Sequence, residues 1–336
     1  MRTALVGYGL GGAAFHAPFI ASTPGLTLSA VVTSNPARQA EVRERYPSTA
    51  VLSSLDEVWS GSYDLVVVTT PNRFHASHAR AALEHGLPAV VDKPFAGSAG
   101  EARALASMAS QKGLMLAPFH NRRWDGDFRT VRKLVEAKAL GDVHRFESRF
   151  ERWRPEIKAT WKESGDPADL GSILFDLGTH LIDQAVALFG RPLSVHAEIS
   201  TLRAGARADD DAFLSLQHEG GVRSHLWMSA LAADLGPRFR VLGTESAYVK
   251  HGMDPQEELL KAGATPGGPG WGEEEPAAWG RLGGEPYRTE PGAYQEFYAS
   301  VAAGVAPVEP QDAVTGLDVI EAAQLSSISG NTVSLR

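Results

Sequence analysis

The sequence predicts an α/β chain in which a doubly wound parallel sheet is followed by a second α/β domain with a large, mostly antiparallel open sheet. Three observations predict this. Through residue 120, strand-like and helix-like segments alternate, which implies right-handed crossovers and a parallel sheet. Several of these strands, such as Asp64–Thr69 and Ala89–Asp92, are apolar runs without alternation, as in strands buried on both faces. After residue 190, strand-like runs follow one another without helices between them, which favours antiparallel pairing.

Taken in order, the first strands are Thr3–Val6, Leu28–Thr33, Ala50–Leu52, Asp64–Thr69, Ala89–Asp92 and Leu114–Pro118. Helices are expected near Gly12–Ser22, Pro36–Tyr46, Phe74–Glu84 and Ser98–Gln111. The pattern changes near residue 121. A helix near Trp124–Ala137 leads to a strand at His144–Trp153, and a helix follows near Gly171–Phe189. Strands are then expected at Leu193–Leu202, Ala212–His218, Val222–Ser229, Phe239–Leu242 and Ala247–Lys250. Residues 263–284, rich in Gly and Pro, read as a long loop. Helices near Pro291–Ala303 and Asp312–Ser329 close the chain. The expected domains are 1–120 and 121–336, with the last helix a candidate to pack back on the first domain.

Bulk properties narrow the function. At 336 residues, 43% hydrophobic and 21% charged, the chain has the length of about two ordinary globular domains. No run of about 18 apolar residues stands out, so a membrane span is not expected. The segment after Met1 has no long apolar core ending in small residues, so a secretory signal is not expected either. There is no cysteine, which removes disulfides, thiolate zinc sites and a cysteine nucleophile and fits a cytoplasmic protein. A net charge of -8 disfavours nucleic acid as a partner while allowing a local basic pocket.

The segment Gly7-Tyr8-Gly9-Leu10-Gly11-Gly12 carries G-x-G-x-x-G directly after a strand and before a helix, the Rossmann fingerprint. The first Gly allows a tight turn, the second a close approach of pyrophosphate, the third close helix–strand packing. The following helix offers its N-terminal amides to the anion. At the end of the second strand an acid would bind the ribose of NAD, but Val32-Thr33-Ser34-Asn35-Pro36-Ala37-Arg38 has none. Thr33, Ser34 and Arg38 suit a 2′-phosphate, which favours NADP; with Arg38 merely solvated, NAD binds equally well. The fourth strand ends in Thr69-Thr70-Pro71-Asn72, with His75 beyond. Ligands of open α/β sheets sit at the carboxyl ends of strands, so Thr70, Pro71, Asn72 and His75 would border a nicotinamide. The alternative for His75 is a solvent-facing helix N-terminus.

The fifth strand ends Asp92-Lys93-Pro94. A cation at that edge of the sheet stabilises an alkoxide that develops as hydride leaves. Farther on, Asp176 and His180 stand four apart in Asp176-Leu177-Gly178-Thr179-His180 and share a helix face. A neutral His accepts a hydroxyl proton near pH 7, and Asp176 would orient it or bind a neighbouring hydroxyl. A surface ion pair and a metal pair are the competing readings; with no cysteine and no clear third ligand, no metal is expected. His120, Asn121, Arg122, Arg123 and Trp124, with Arg152, Trp153 and Arg154, could line a polyol pocket, or the arginines could be interdomain salt bridges.

Together, Gly7-Tyr8-Gly9, Asp92-Lys93-Pro94 and Asp176-Leu177-Gly178-Thr179-His180 resemble the glucose–fructose oxidoreductase/inositol dehydrogenase/MocA family over essentially the whole chain. The family carries E-K-P after the fifth strand and D-x-G-x-H in the second domain; here Asp92 replaces the Glu. The stretches Gly7–His16, Phe119–Asp125, Arg152–Glu156 and Asp176–Gln184, with the region around Lys250–Asp254, look like its NADP-dependent scyllo-inositol dehydrogenase branch. That branch tends to carry Arg where Asn35 stands. The resemblance implies Lys93, Asp176 and His180 around the reacting carbon, pocket roles for His120, Asn121 and Trp153, no metal, and a homodimer through the open C-terminal sheet.

The expected activity is NAD(P)-dependent interconversion of a secondary hydroxyl and a ketone on a cyclic polyol or sugar, an inositol first. Substrate is expected between the domains, with His180 accepting the hydroxyl proton and Lys93 facing the oxyanion. Two rivals stand beside it. One is a cofactor-binding sensor without turnover, which the presence of Lys93, Asp176 and His180 disfavours. The other is a lyase or hydrolase that uses a tightly held NAD in an internal redox cycle.

Overall fold

The computed structural model describes residues 1–158, 160–274 and 287–335. They divide into two compact units. The first is built on Met1–Asn121 and begins with a six-stranded parallel sheet, β1 (Arg2–Val6), β2 (Thr27–Val32), β3 (Ala50–Leu52), β4 (Leu65–Val68), β5 (Ala89–Asp92) and β6 (Leu116–Phe119). Its order, β3-β2-β1-β4-β5-β6, reverses direction between β1 and β4. The Leu-Val-Val-Val run of β4 is buried at every position, as the absence of alternation in the sequence predicts.

Helices α1 (Ala17–Ser22), α2 (Pro36–Arg45), α3 (Asp56–Trp59), α4 (His75–Glu84) and α5 (Ala99–Lys112) connect the strands. Their ends carry the expected signals. Asn35 caps α2 with Pro36 at its first position, and Ser98 caps α5 by accepting the N–H of Glu101. Gly113, at φ 62°, ends α5 in the left-handed conformation. One local difference stands out. The expected first helix opens with a π-helical segment, Gly11–His16, before α1.

The second unit includes Arg122–Pro255. Helix α6 (Gly126–Glu136) precedes β7 (Val143–Glu151) and α7 (Thr179–Phe189). Strands β8 (Pro192–Ser200), β9 (Asp211–His218), β10 (Arg223–Ser229), β11 (Phe239–Gly243), β12 (Ala247–Lys250) and the short β13 (Val333–Ser334) complete a sheet ordered β12-β11-β7-β10-β9-β8-β13. Its pairs are antiparallel except β10 with β7. Along β9 and β10, Leu214, Leu216, Leu226 and Met228 are buried while Phe213, Ser215, His225 and Trp227 between them keep partial exposure. This period-2 pattern turns one face toward the core and leaves the other partly exposed among the described residues.

The chain then re-enters the first unit twice, through Gln256–Trp271 with α8 (Gln256–Lys261) and through Ala293–Gln311 with α9 (Gln295–Ala302). The buried Gln256 amide oxygen ties the two segments together, accepting from Trp271 Nε1 at 2.9 Å and Tyr294 N at 2.8 Å. Phe19 of α1 stacks on Tyr298 of α9, with ring centroids 6.3 Å apart. Helix α10 (Pro310–Ser329) returns to the second unit, where β13 (Val333–Ser334) pairs with β8. Residues 275–284 of the expected Gly- and Pro-rich loop lie outside the described residues.

The helical stretch Pro167–Phe189 is long and apolar enough by composition to cross a membrane, at hydropathy 1.2 over 18 residues. Its window is 67% buried within the structure, the mark of a core helix.

Candidate active site

In the first unit the glycine-rich turn separates glycines that the fold itself needs from one that it does not. Gly7 has φ +100°, and a Cβ there would sit 2.7 Å from the Thr69 carbonyl oxygen. A Cβ on Gly12 would sit 2.4 Å from the Gly7 oxygen and 2.8 Å from Thr69 Oγ1. These two are fixed by turn geometry and by packing of helix on strand. A Cβ on Gly9 would meet nothing within 4 Å. The open space at Gly9 leaves the backbone approachable from outside, which is what a pyrophosphate requires, so the turn fits a dinucleotide. Leu10 is 67% exposed, whereas Tyr8 is 2% exposed, which makes its ring a core group. Burial pushes the Tyr8 phenol up to about 12.

At the end of β2, the Asn35 side chain accepts Ala37 N at 3.0 Å and Arg38 N at 3.2 Å. The residue standing where an Arg is usual is therefore the N-cap of α2. Gln39 Nε2 holds the Thr33 carbonyl at 2.8 Å, and Ser34 and Arg38 are exposed beside this helix start. The neighbourhood offers a hydroxyl, a guanidinium and a helix N-terminus, and no carboxylate on the stretch Thr33–Arg38.

The ends of β4 and β5 are clamped by one side chain. His75 is 1% exposed, with Nδ1 2.7 Å from the Pro94 carbonyl oxygen and Nε2 2.7 Å from that of Thr70. The solvent-facing alternative for His75 is therefore set aside. Burial pulls its pKa below the usual imidazole range against Asp92 and the two carbonyls, which pull it up. Asn72 is buried and Pro71 exposed at the same edge. The Lys93–Pro94 peptide is cis. Asp92 Oδ1 accepts Lys93 N at 2.8 Å, and Asp92 Oδ2 lies 3.6 Å from His16 Nε2. Burial acts to raise the Asp92 carboxyl, but His16, His75 and Lys93 outweigh it and hold it down to about 2. His120 and Asn121, just past β6, are 5% and 6% exposed.

The second unit gathers the other expected groups around the start of α7. Asp176 lies in a π-helical segment, Leu174–Gly178, that runs directly into α7, so the four-residue spacing to His180 crosses a change of helix type. The Asp176 carboxylate takes Lys162 Nζ at 2.8 Å on one oxygen and faces Arg152 Nη1 at 3.9 Å on the other. His180 is 6% exposed, and its ring centroid lies 6.5 Å from that of Phe150. The guanidinium carbons of Arg122 and Arg152 each sit 4.7 Å from the Phe150 ring centroid. Asp209 accepts Leu174 N at 3.1 Å and so caps the segment that carries Asp176. Trp153 is 58% exposed.

One arginine of the interdomain salt-bridge alternative, Arg123, has partners within the second unit. Arg123 holds Asp183 in a two-pronged pair at 2.8 and 2.6 Å and Asp312 at 2.9 Å, all within the second unit. Burial acts to lower its pKa, but the two carboxylates raise it overall. Lys162, Phe150 and Asp209 were not singled out from the sequence. Lys162 and Asp209 lie in segments without periodic signal, and Phe150 reads only as one more apolar strand residue. No group of three His, Cys, Asp or Glu side chains suited to a metal ion occurs among the described residues.

Comparison with known proteins places these features. Residues 1–120 match the family described as "Oxidoreductase family, NAD-binding Rossmann fold", and residues 128–249 match its "GFO/IDH/MocA C-terminal domain". Among curated relatives, scyllo-inositol 2-dehydrogenase (NADP(+)) IolW of Bacillus subtilis is 33% identical, over 100% of this chain and 96% of its own length. D-glucoside 3-dehydrogenase of Escherichia coli is 28% identical over 57% of this chain and 55% of its own. The solved structure of the oxidoreductase yvaA from Bacillus subtilis superposes with a TM-score of 0.92 at 32% identity, covering 100% of this chain and 98% of that one.

Proposed function

The chain belongs to the GFO/IDH/MocA oxidoreductase family, and on that premise we propose that it interconverts a secondary hydroxyl and a ketone on scyllo-inositol or a closely related cyclic polyol, with NADP as hydride carrier. It is an NAD(P)-dependent oxidoreductase acting on CH–OH groups. The finer reading is carried by its full-length likeness to a relative named for that reaction and cofactor. The exposed Ser34 and Arg38 beside the α2 N-terminus, with no acid between Thr33 and Arg38, support the 2′-phosphate.

Bound nicotinamide supplies the hydride acceptor for oxidation and the hydride donor for reduction. The chain's own groups manage charge and protons. His180 takes the hydroxyl proton as the C–H bond breaks and C=O forms, and returns it in reduction. The Lys93 ammonium stabilises the negative charge that builds on the oxygen. Asp176, flanked by Lys162 and Arg152, offers a fixed acceptor for a neighbouring hydroxyl. His120 and Asn121 of the first unit and Trp153 of the second are assigned in this reading to contacts with polyol hydroxyls and C–H surfaces. A steady-state assay at 340 nm with NADP or NAD and a panel of inositols and aldoses tests this reading. Turnover of scyllo-inositol with NADP supports it; turnover only with NAD or only with an aldose rejects it.

A homodimer through the open sheet is part of the same proposal. The partly exposed face carries Phe213, His225 and Trp227 close together, with the Arg149 guanidinium 3.9 Å over the Trp227 ring. Aromatic groups and Arg on such a face suit a self-complementary interface. Light scattering on the purified protein reads the mass; a monomer rejects the dimer.

A further inference from the structure

His16 is the last residue of the π-helical segment that follows the glycine-rich turn, and it is 0% exposed. Its Nδ1 lies 2.5 Å from the Tyr298 hydroxyl, and its Nε2 faces Asp92 Oδ2 at 3.6 Å. At that distance the two groups face each other beyond hydrogen-bond reach, as a ring edge and a carboxylate charge. Tyr298 is also 0% exposed, packed among Phe19, Phe119 and Phe297. Three residues distant in sequence thus form a polar line through an aromatic region, all within the first unit. The line ends at the carboxylate that accepts Lys93 N.

Its direction follows from counting protons. A phenol has one proton to give, and the burial of Tyr298 keeps it there by raising its pKa. If the phenol donates to Nδ1, the ring carries its own proton on Nε2 and turns a positive N–H edge toward Asp92. In the opposite arrangement a lone pair on Nε2 would face the carboxylate, and the phenol proton would have no acceptor within the line. The first arrangement removes both penalties.

We propose that Tyr298 and His16 are positioning residues for Lys93: the phenol fixes the His16 tautomer, and the Nε2–H edge of His16 fixes the Asp92 carboxylate on which the Lys93 backbone rests. The inference relies on the assignment of Lys93 to the reacting oxygen.

Two experiments test it. In the purified protein, long-range proton–nitrogen spectra of nitrogen-15 histidine are expected to place the His16 proton on Nε2. A proton on Nδ1 overturns the proposal whatever the activity. In the assay with NADP and scyllo-inositol, Tyr298→Phe is expected to lower kcat about tenfold while leaving the NADPH dissociation constant unchanged. His16→Leu does the same, and the double variant falls no further than the worse single variant, as for residues in one line. Tyr298→Phe removes one oxygen and keeps the ring, so it remains informative should His16→Leu fold poorly. Parent-like kcat in Tyr298→Phe overturns the proposal, as does a loss that appears only as weaker NADPH binding. Lys93→Ala run beside these separates the two claims. If it still turns over, the role of Lys93 falls; if it is silent while Tyr298→Phe is normal, only the positioning line falls.

Discussion

Asn35 accepts the backbone N–H of Arg38 at 3.2 Å and that of Ala37 at 3.0 Å, and these two contacts fix the turn from β2 into α2. The cap starts α2 where Ser34 and Arg38 are both exposed, so an Asn at this place is compatible with a site for a 2′-phosphate. Arg38→Ala is expected to raise the KM for NADP about tenfold, roughly 1.4 kcal/mol, and to leave NAD kinetics alone. Equal loss with both cofactors, or none with either, contradicts a phosphate role. Asn35→Ala is expected to cost about 1 kcal/mol of stability through the lost cap, read as a lower denaturant midpoint.

The glycines of the turn give a paired test. Gly9→Ala meets no atom within 4 Å, so its unfolding curve is expected to match the parent's while cofactor binding weakens sharply. Gly12→Ala puts a methyl 2.4 Å from the Gly7 oxygen, so it is expected to destabilise the fold itself, by about 2 kcal/mol or more. Unaltered NADPH affinity in Gly9→Ala would show that the pyrophosphate does not sit at this turn.

Lys93 and His180 are expected to fail differently from the glycines. Lys93→Ala lowers kcat by about 100-fold or more with cofactor affinity intact, since its charge matters only as the oxyanion builds. His180→Asn lowers kcat by about 100- to 10,000-fold and removes one limb of the pH profile, since a proton acceptor has been lost. Either variant with kcat within threefold of the parent rules out the role assigned to that residue.

Much of this was legible in the sequence, and the reasons are local. The parallel strands announced themselves because doubly buried strands must be apolar throughout, and the turn because close approach admits only glycine at Gly7 and Gly12. The Asn35 cap, by contrast, comes from the structure, where the side chain accepts the N–H groups of Ala37 and Arg38. What escaped depends on distant parts of the chain. Lys162 reaches Asp176 from a segment without periodicity, and Tyr298 reaches His16 from a helix that re-enters the first unit after the second has begun. The two-sided clamp by His75 was likewise invisible, because its partners are backbone carbonyls that any residue could provide.

Acid stability offers a test of the Asp92 environment. An ordinary Asp titrates near 3.8, whereas Asp92 is held down to about 2. A depressed carboxyl contributes stability that is present above the ordinary value and is lost as pH falls toward the lowered one. The contribution is about 2 kcal/mol. Asp92→Asn is therefore expected to lie about 2 kcal/mol below the parent at pH 7, with the gap closing between pH 4 and about 2. Denaturant titrations across that range read it; a gap that persists unchanged at low pH contradicts the anionic account of Asp92.

The most direct test of the central claim is product stoichiometry. Purified protein with NADP and scyllo-inositol is followed at 340 nm while the ketone formed is quantified in the same sample. The account predicts one NADPH released for each inosose formed, and a signal slower by about 100-fold or more in Lys93→Ala. Product formed without free NADPH would contradict it and assign the chain an internal redox cycle; NADPH binding with no product from any inositol would make it a binder of the cofactor alone.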